Sequence, residues 1–219
     1  RRSSKSKPKE IRDLIEQLNN DSRVDGILLQ RPLPEGFHEE EFCYWITPGK
    51  DVDGFHPENL GRLALGMPGL RPCTPIGIMA LLEHYQIDVA GKLACVVGRS
   101  PIVGKPISLL LSHANATVIQ AHSKTNDLAS LTKQADIVIA AAGKKHLLSA
   151  KDFKKGAVVV DVGIHRYDLN RITGDVSPQG LEAVCSAFTP VPGGVGPTTI
   201  AMLMQNTVLS AELRLERNP

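Results

Sequence analysis

The stretch "VVGRSPIVGKP" carries Gly98-x-Ser100-x-x-x-Gly104 between an apolar, strand-like run and a helical pattern. At such a junction the backbone N–H groups of a helix N-terminus can take a dinucleotide pyrophosphate. Serine replaces the middle glycine of the usual G-x-G-x-x-G, so an ordinary strand–helix turn stays open as the alternative. The next strand-like run ends in "VIQAHSKT". An acid there would hold the ribose 2′-hydroxyl of NAD. This chain offers His122, Ser123, Lys124 and Thr125 instead, with Arg99 in the preceding loop. Cations and hydroxyls suit a 2′-phosphate, which favours NADP; a solvated basic turn is the other reading.

Three further stretches could do chemistry. "KDVDGFHP" places Asp51 and Asp53 at i and i+2, on one side of an extended segment. They can bind a metal, although no histidine or third acid is spaced to complete a site. They can form turns, or accept hydrogen bonds from a polar heterocycle. The residues alone do not choose among the three. Gln30 closes "VDGILLQ" and can donate and accept, and it can equally be a satisfied strand-end amide. "TPVPGGVGPTT" (189–199) alternates residues that fix φ with residues that free it. It specifies one backbone path, either around a ligand or as a rigid turn.

The elements that must position these residues follow from periodicity. Ile11, Leu14, Ile15 and Leu18 in "PKEIRDLIEQLNN" define an amphipathic helix over 8–20. "VDGILLQ" (24–30) reads as a buried strand, "RPLPEGF" as a break, and "EEEFCYWI" as a short helix. A helix is expected to start at Thr74-Pro75, with the threonine as cap. From residue 92, apolar runs alternate with helical patterns, which predicts a parallel sheet covered on both faces. The expected class is α/β. A doubly wound, Rossmann-like domain spans 75–196, after a partial N-terminal α/β substrate domain (1–74) and before a C-terminal helix (197–219).

Composition narrows the alternatives. A 42% hydrophobic content over 219 residues suffices for a buried core. A net charge of +2 demands neither nucleic acid nor a membrane surface as partner. No run of 18 apolar residues predicts a membrane helix. The cysteines (Cys43, Cys73, Cys95, Cys185) have no metal or CxxC spacing and read as reduced intracellular thiols. "RRSSKSKPKE" puts five positive charges ahead of the first acid, and it reads as a solvated tail rather than a targeting remnant.

"DGILLQRPLP", "PGKDVDGFHPENLGRL", "PCTP", "GRSPIVGKP", "DVGI", "GDV" and "TPVPGGVGPTT" occur in this order. Together, from about residue 8 to residue 213, they resemble the bifunctional methylenetetrahydrofolate dehydrogenase/methenyltetrahydrofolate cyclohydrolase family. The resemblance implies NADP-dependent oxidation of 5,10-methylenetetrahydrofolate, hydrolysis of the product to 10-formyltetrahydrofolate, and a place in one-carbon metabolism. It implies two α/β domains with a folate cleft between them, the final helix returning to the N-terminal domain, and a homodimer. Asp53 is then expected to hold the pterin and Gln30 to sit beside the one-carbon bridge, as catalytic and substrate-binding residues. Gly98, Arg99, Ser100 and Ser123 are expected to hold NADP, with Ile164 of "DVGI" lining its site. Pro192, Gly193 and Gly194 are expected at the floor of the cleft, against nicotinamide and folate.

One family feature is missing. The family carries a Tyr-x-x-x-Lys pair whose lysine serves the cyclohydrolase step, before the position of the 8–20 helix. Here Tyr44 is followed four residues later by Pro48, Tyr85 by Val89 and Tyr167 by Arg171. The expectation is a chain without the N-terminal segment of its family, impaired most in hydrolysis. A cytoplasmic location is the default, with a mitochondrial one open. Two rival readings are a non-catalytic NADP-binding module and an interaction protein that binds no nucleotide.

Overall fold

The structure is a computed structural model, and it describes residues 6–30, 33, 37, 39–168 and 171–217. Half of the basic start (1–5) and most of the "RPLPEGF" break lie outside the described residues. The chain divides into two compact units, one of residues 1–73 and 203–219, the other of residues 74–202.

In the first unit, α1 (Pro8–Asn20) buries Ile15 against Ile27 and Ile46, with Ile11, Leu18 and Trp45 packed around them. Its C-terminal carbonyls would be orphaned, and Lys50 meets them. The Lys50 ammonium donates to the carbonyls of Leu18, Asn19 and Asp21 at 2.9, 2.7 and 2.8 Å. Next come α2 (Glu39–Trp45), a 3-10 turn (Pro48–Lys50) and α3 (Pro57–Ala64), which His56 caps by accepting from the Glu58 N–H. The strand expected over 24–30 is reduced to one parallel bridge, Ile27 to Asp51. Ile27 is buried, but Leu28 is 46% exposed, so this apolar run is not covered on both sides.

The second unit is the wound domain. Five parallel strands run in the order β2-β1-β3-β4-β7: β1 (Leu93–Val97), β2 (Thr117–Ala121), β3 (Ile137–Ala140), β4 (Val158–Asp161) and β7 (Ala187–Phe188). The inner strands β1 and β3 are almost wholly buried, while edge strand β2 is half-covered. Ile78, Ile107, Leu111 and Ile139 fill one core layer, and Cys95, Val138, Phe153 and Leu181 another. Each such side chain contributes about 1.5–3 kcal/mol by leaving water. Helix α4 (Cys73–His84) leads into β1, and α5 (Gly104–His113), α6 (Leu128–Gln134) and α7 (Leu181–Val184) lie between strands.

Helix α4 begins at Cys73, one residue before the expected cap. The Thr74 hydroxyl instead lies 3.0 Å from that of Thr199. An antiparallel ribbon, β5 (His165–Asp168) and β6 (Arg171–Thr173), is an addition that periodicity did not suggest. The closing helix α8 (Val195–Arg217) starts two residues before Pro197, which sits in its first turn.

Candidate active site

Strand β1 leads to β2 on one side of itself, and β2 then crosses to β3 on the other. Ligands of open α/β sheets gather at such a switch, beyond the carboxyl ends of the strands. A cavity of about 460 Å³ opens there, lined by Gly98, Arg99, Ser100, His122, Ser123 and Thr125, and by Ala141–Lys144 beyond β3 except Gly143. Four of the predicted cofactor residues, Gly98, Arg99, Ser100 and Ser123, thus share one space. No carboxylate is among its lining residues, and Arg99 and Lys144 bring cations to it. This donor set fits a 2′-phosphorylated nucleotide, and the volume is that of an ordinary small-molecule site. Lys124, which the sequence offered, is not part of the lining.

The turn that carries Gly98 has no room for a side chain. At φ +139°, a Cβ on Gly98 would stand 2.1 Å from the Ala141 oxygen, and one on Gly104 would stand 2.4 Å from the Gly98 oxygen. Strand end, helix start and the loop after β3 therefore touch through backbone. Ser100 Oγ accepts from the N–H groups of Val103 and Gly104, at 3.2 and 3.3 Å, and so caps α5 with its own hydroxyl. The 122–125 turn closes on itself, with Thr125 Oγ1 accepting from the His122 N–H at 2.8 Å.

Behind this wall lies a cluster that sequence reasoning missed. The Asp161 carboxylate accepts from the backbone N–H of Gly163, Asp175 and Val176, each at 2.9 Å. The wholly buried Asp175 accepts from the N–H of Ala142 (2.6 Å) and Gly143 (2.9 Å), and its other oxygen lies 2.7 Å from His165 Nε2. Burial pushes the Asp161 carboxyl above its ordinary value; its three N–H donors oppose the shift and the Asp175 charge adds to it. The Asp161 N–H donates to Thr189 Oγ1 at 2.8 Å. "DVGI", "GDV" and the start of "TPVPGG" are therefore joined to the wall of the cavity. The available signal was an aspartate within two residues of a glycine in both "DVGI" and "GDV".

Ile164 is 65% exposed and is not among the cavity's lining residues. Pro192, which follows a cis peptide bond, and Gly193 are exposed. Gly193 holds φ +101° with nothing near a would-be Cβ, whereas a Cβ on Gly194 would stand 2.5 Å from the Pro190 oxygen. One glycine leaves an open face and the other lets the turn fold onto itself.

Gln30 and Asp53 belong to the first unit. The two aspartates of "KDVDG" do not share an extended face, because residues 51–54 form a turn closed by the Gly54 N–H on the Asp51 carbonyl at 3.0 Å. Asp51 is buried, and its carboxylate accepts from the His56 N–H (2.7 Å) and Asn59 Nδ2 (3.0 Å). Burial raises its pKa against those bonds. Asp53 stays half-buried. A second cavity of about 460 Å³ in this unit, lined by Lys50, Arg62 and Arg214 among others, includes neither Gln30 nor Asp53. No group of three or more metal-ligating side chains occurs among the described residues.

Known proteins are similar to this chain over most of its length. The family model described as tetrahydrofolate dehydrogenase/cyclohydrolase, NAD(P)-binding domain, matches residues 72–215, and that of the family's catalytic domain matches residues 1–53. The bifunctional protein FolD of Campylobacter hominis is 54% identical over 205 residues, covering 94% of this chain and 72% of that protein. The crystal structure of the bifunctional FolD dehydrogenase/cyclohydrolase of Campylobacter jejuni superimposes with a TM-score of 0.93 at 48% identity, covering 96% of this chain and 75% of that one. The Trypanosoma brucei enzyme, solved with NADP cofactor and an inhibitor, gives 0.88 at 32% identity, covering 97% and 75%. The chain belongs to the tetrahydrofolate dehydrogenase/cyclohydrolase family of enzymes, with residues 72–215 matching its NAD(P)-binding domain.

Proposed function

We propose that this chain oxidises 5,10-methylenetetrahydrofolate to 5,10-methenyltetrahydrofolate with NADP, and that it hydrolyses the product to 10-formyltetrahydrofolate much more slowly. The observation that carries the reading is the acid-free cavity at the switch of the sheet, where Arg99, Ser123, Thr125 and Lys144 meet around Gly98. NADP, when bound, supplies the hydride acceptor. The chain's own part is to hold two ring systems at reacting distance, which is the main requirement of hydride transfer.

In this reading the Arg99 guanidinium and the Ser123 hydroxyl take the 2′-phosphate, and Gly98 and Ser100 flank the pyrophosphate. Ile164 lies along the nucleotide, and Pro192, Gly193 and Gly194 face the rings. Asp53 accepts from the amino and ring N–H donors of the pterin, which a carboxylate suits. Gln30 sits beside the one-carbon bridge. Hydrolysis additionally needs a positioned group to activate water and manage charge. The 219 residues contain no Tyr-x-x-x-Lys pair, which supports slow hydrolysis. A homodimer is part of the same reading.

The test is methenyltetrahydrofolate formation from 5,10-methylenetetrahydrofolate and NADP, with NADP binding titrated separately. Turnover with accumulation of the methenyl product is the expected result. NADP binding without turnover would favour a nucleotide-binding module. No NADP binding would overturn the proposal.

A further inference from the structure

Through Asn206 the closing helix reaches the "KDVDG" turn. Asn206 is 3% exposed, and its Nδ2 donates at 2.8 Å to two carbonyls, those of Val52 and Arg71. An amide has two protons, so both are used in this way. The two acceptors bracket Asp53. Val52 precedes it directly. The Arg71 carbonyl abuts Gly54, which follows it: at φ +73°, a Cβ on Gly54 would stand 2.3 Å from the Arg71 carbonyl carbon and 2.5 Å from its oxygen. The Cys73 thiol donates to the Val52 carbonyl at 3.3 Å, so Val52 is held a second time. One turn further along α8, Ser210 Oγ lies 2.5 Å from the carbonyl oxygens of both Asp25 and Gly49. The face of the helix that meets this unit therefore grips backbone.

We propose that Asn206 is a positioning residue for substrate: its amide clamps the backbone on both sides of Asp53 and so sets where that carboxylate meets the pterin. The inference rests on the reading of Asp53 as the pterin acceptor. It assigns the closing helix a part in substrate recognition that needs no contact between Asn206 and the substrate. Without the amide, two carbonyls lose donors in a buried place, and the turn is free to shift.

The experiment uses the 219-residue chain with Asn206→Leu, which keeps the volume and removes the donors, and Asn206→Ser, which keeps one donor. The KM for 5,10-methylenetetrahydrofolate should rise by about tenfold in Asn206→Leu, with kcat little changed and NADP affinity unchanged. Asn206→Ser should fall between it and the wild type. Amide hydrogen exchange at Gly54 and His56, both bonded to Asp51, should quicken while exchange in β1 stays as it was. An unchanged KM in folded Asn206→Leu would overturn the proposal, as would a parallel loss of NADP affinity. Should the wild type fail to turn over folate, the functional reading fails by itself. Gly54 exchange then decides the clamp alone, and an unchanged rate rejects it.

Discussion

Asp161 Oδ2 occupies the space that a side chain at Gly174 would need: an ideal Cβ there stands 1.8 Å from it, with the rest of the carboxylate within 2.6 Å. The carboxylate cannot retreat without releasing the N–H groups of Gly163, Asp175 and Val176. Those bonds hold Asp175 in turn, and Asp175 holds Ala142, which lines the cavity at the sheet's switch, and its neighbour Gly143. A single hydrogen-for-methyl exchange at residue 174 therefore reaches a wall that it never touches.

Gly174→Ala should cost about 3 kcal/mol, the range in which a buried hydrogen-bond network is broken. For a chain of this length that lowers the melting temperature by roughly 6–12 °C. NADP affinity should fall in the surviving folded fraction, because the Ala142–Gly143 segment loses its anchor. Thermal melting with and without NADP checks both. A variant that melts like the wild type would show that the carboxylate relocates freely.

Asp51 makes a prediction with a sign. Its carboxyl is raised by burial, so the folded state holds a proton more tightly than the unfolded chain does. Stability from this group is then fully present below the unfolded value near 4 and is lost as pH rises through the folded value. Asp51→Asn removes the buried charge and keeps an oxygen for His56 and Asn59. At pH 7 the variant should match or exceed the wild type in stability, and its advantage should shrink as pH falls toward 4. Urea midpoints across that range measure it. An advantage that grows on acidification would mean that the charge itself is favourable in the fold.

How much of this was legible in the residues depended on whether the signal was local. The parallel sheet could be read because β1 and β3 are apolar along their whole length and β4 is apolar up to Asp161, as doubly covered strands are. That Gly98, Ser100 and Ser123 line one cavity could be read because they lie just beyond strand ends, where the rule for open sheets places ligands. The segment 24–30 looked like a strand by composition, yet Leu28 is exposed and only Ile27 makes a bridge. Hydrophobicity alone does not supply a pairing partner. The roles of Lys50, Asp161 and Asp175 were hidden for another reason. Apart from His165 beside Asp175, the partners described for them are backbone N–H and carbonyl groups, which every residue carries.

Lys50 illustrates this and can be tested. Its ammonium caps three carbonyls at the end of α1, so Lys50→Met keeps the stem and removes the donors. The loss should be about 1–3 kcal/mol. It should appear as an earlier urea transition together with loss of helical signal. A neutral result would mean that water caps the helix equally well.

The thiols should sort by burial. Cys43, Cys73 and Cys95 are buried, and burial pushes Cys73 up to about 12 and Cys95 up to about 11. Cys185 is partly exposed and raised as well, again by burial. Alkylation at pH 8 should therefore be slow and should label Cys185 first, with the other three following only on unfolding. Mass spectrometry of the native protein reads the order. Early labelling of Cys73 would indicate that the segment around the "KDVDG" turn opens in solution.

Arg99 bears most directly on cofactor choice. It is exposed at the rim of a cavity whose lining includes no acid, so its guanidinium can face a phosphate that NADP has and NAD lacks. A charge-assisted bond of this kind contributes about 1.5–3 kcal/mol, so Arg99→Ala should weaken NADP binding by roughly 10–100-fold. NAD affinity should change by less than about threefold, because the lost partner is absent from NAD. Raising the salt concentration should narrow the wild-type preference, since an exposed pair is screened. Equal losses for both cofactors would instead put Arg99 against the shared pyrophosphate. Discrimination would then have to come from other donors of the same cavity, Ser123 and Lys144 among them.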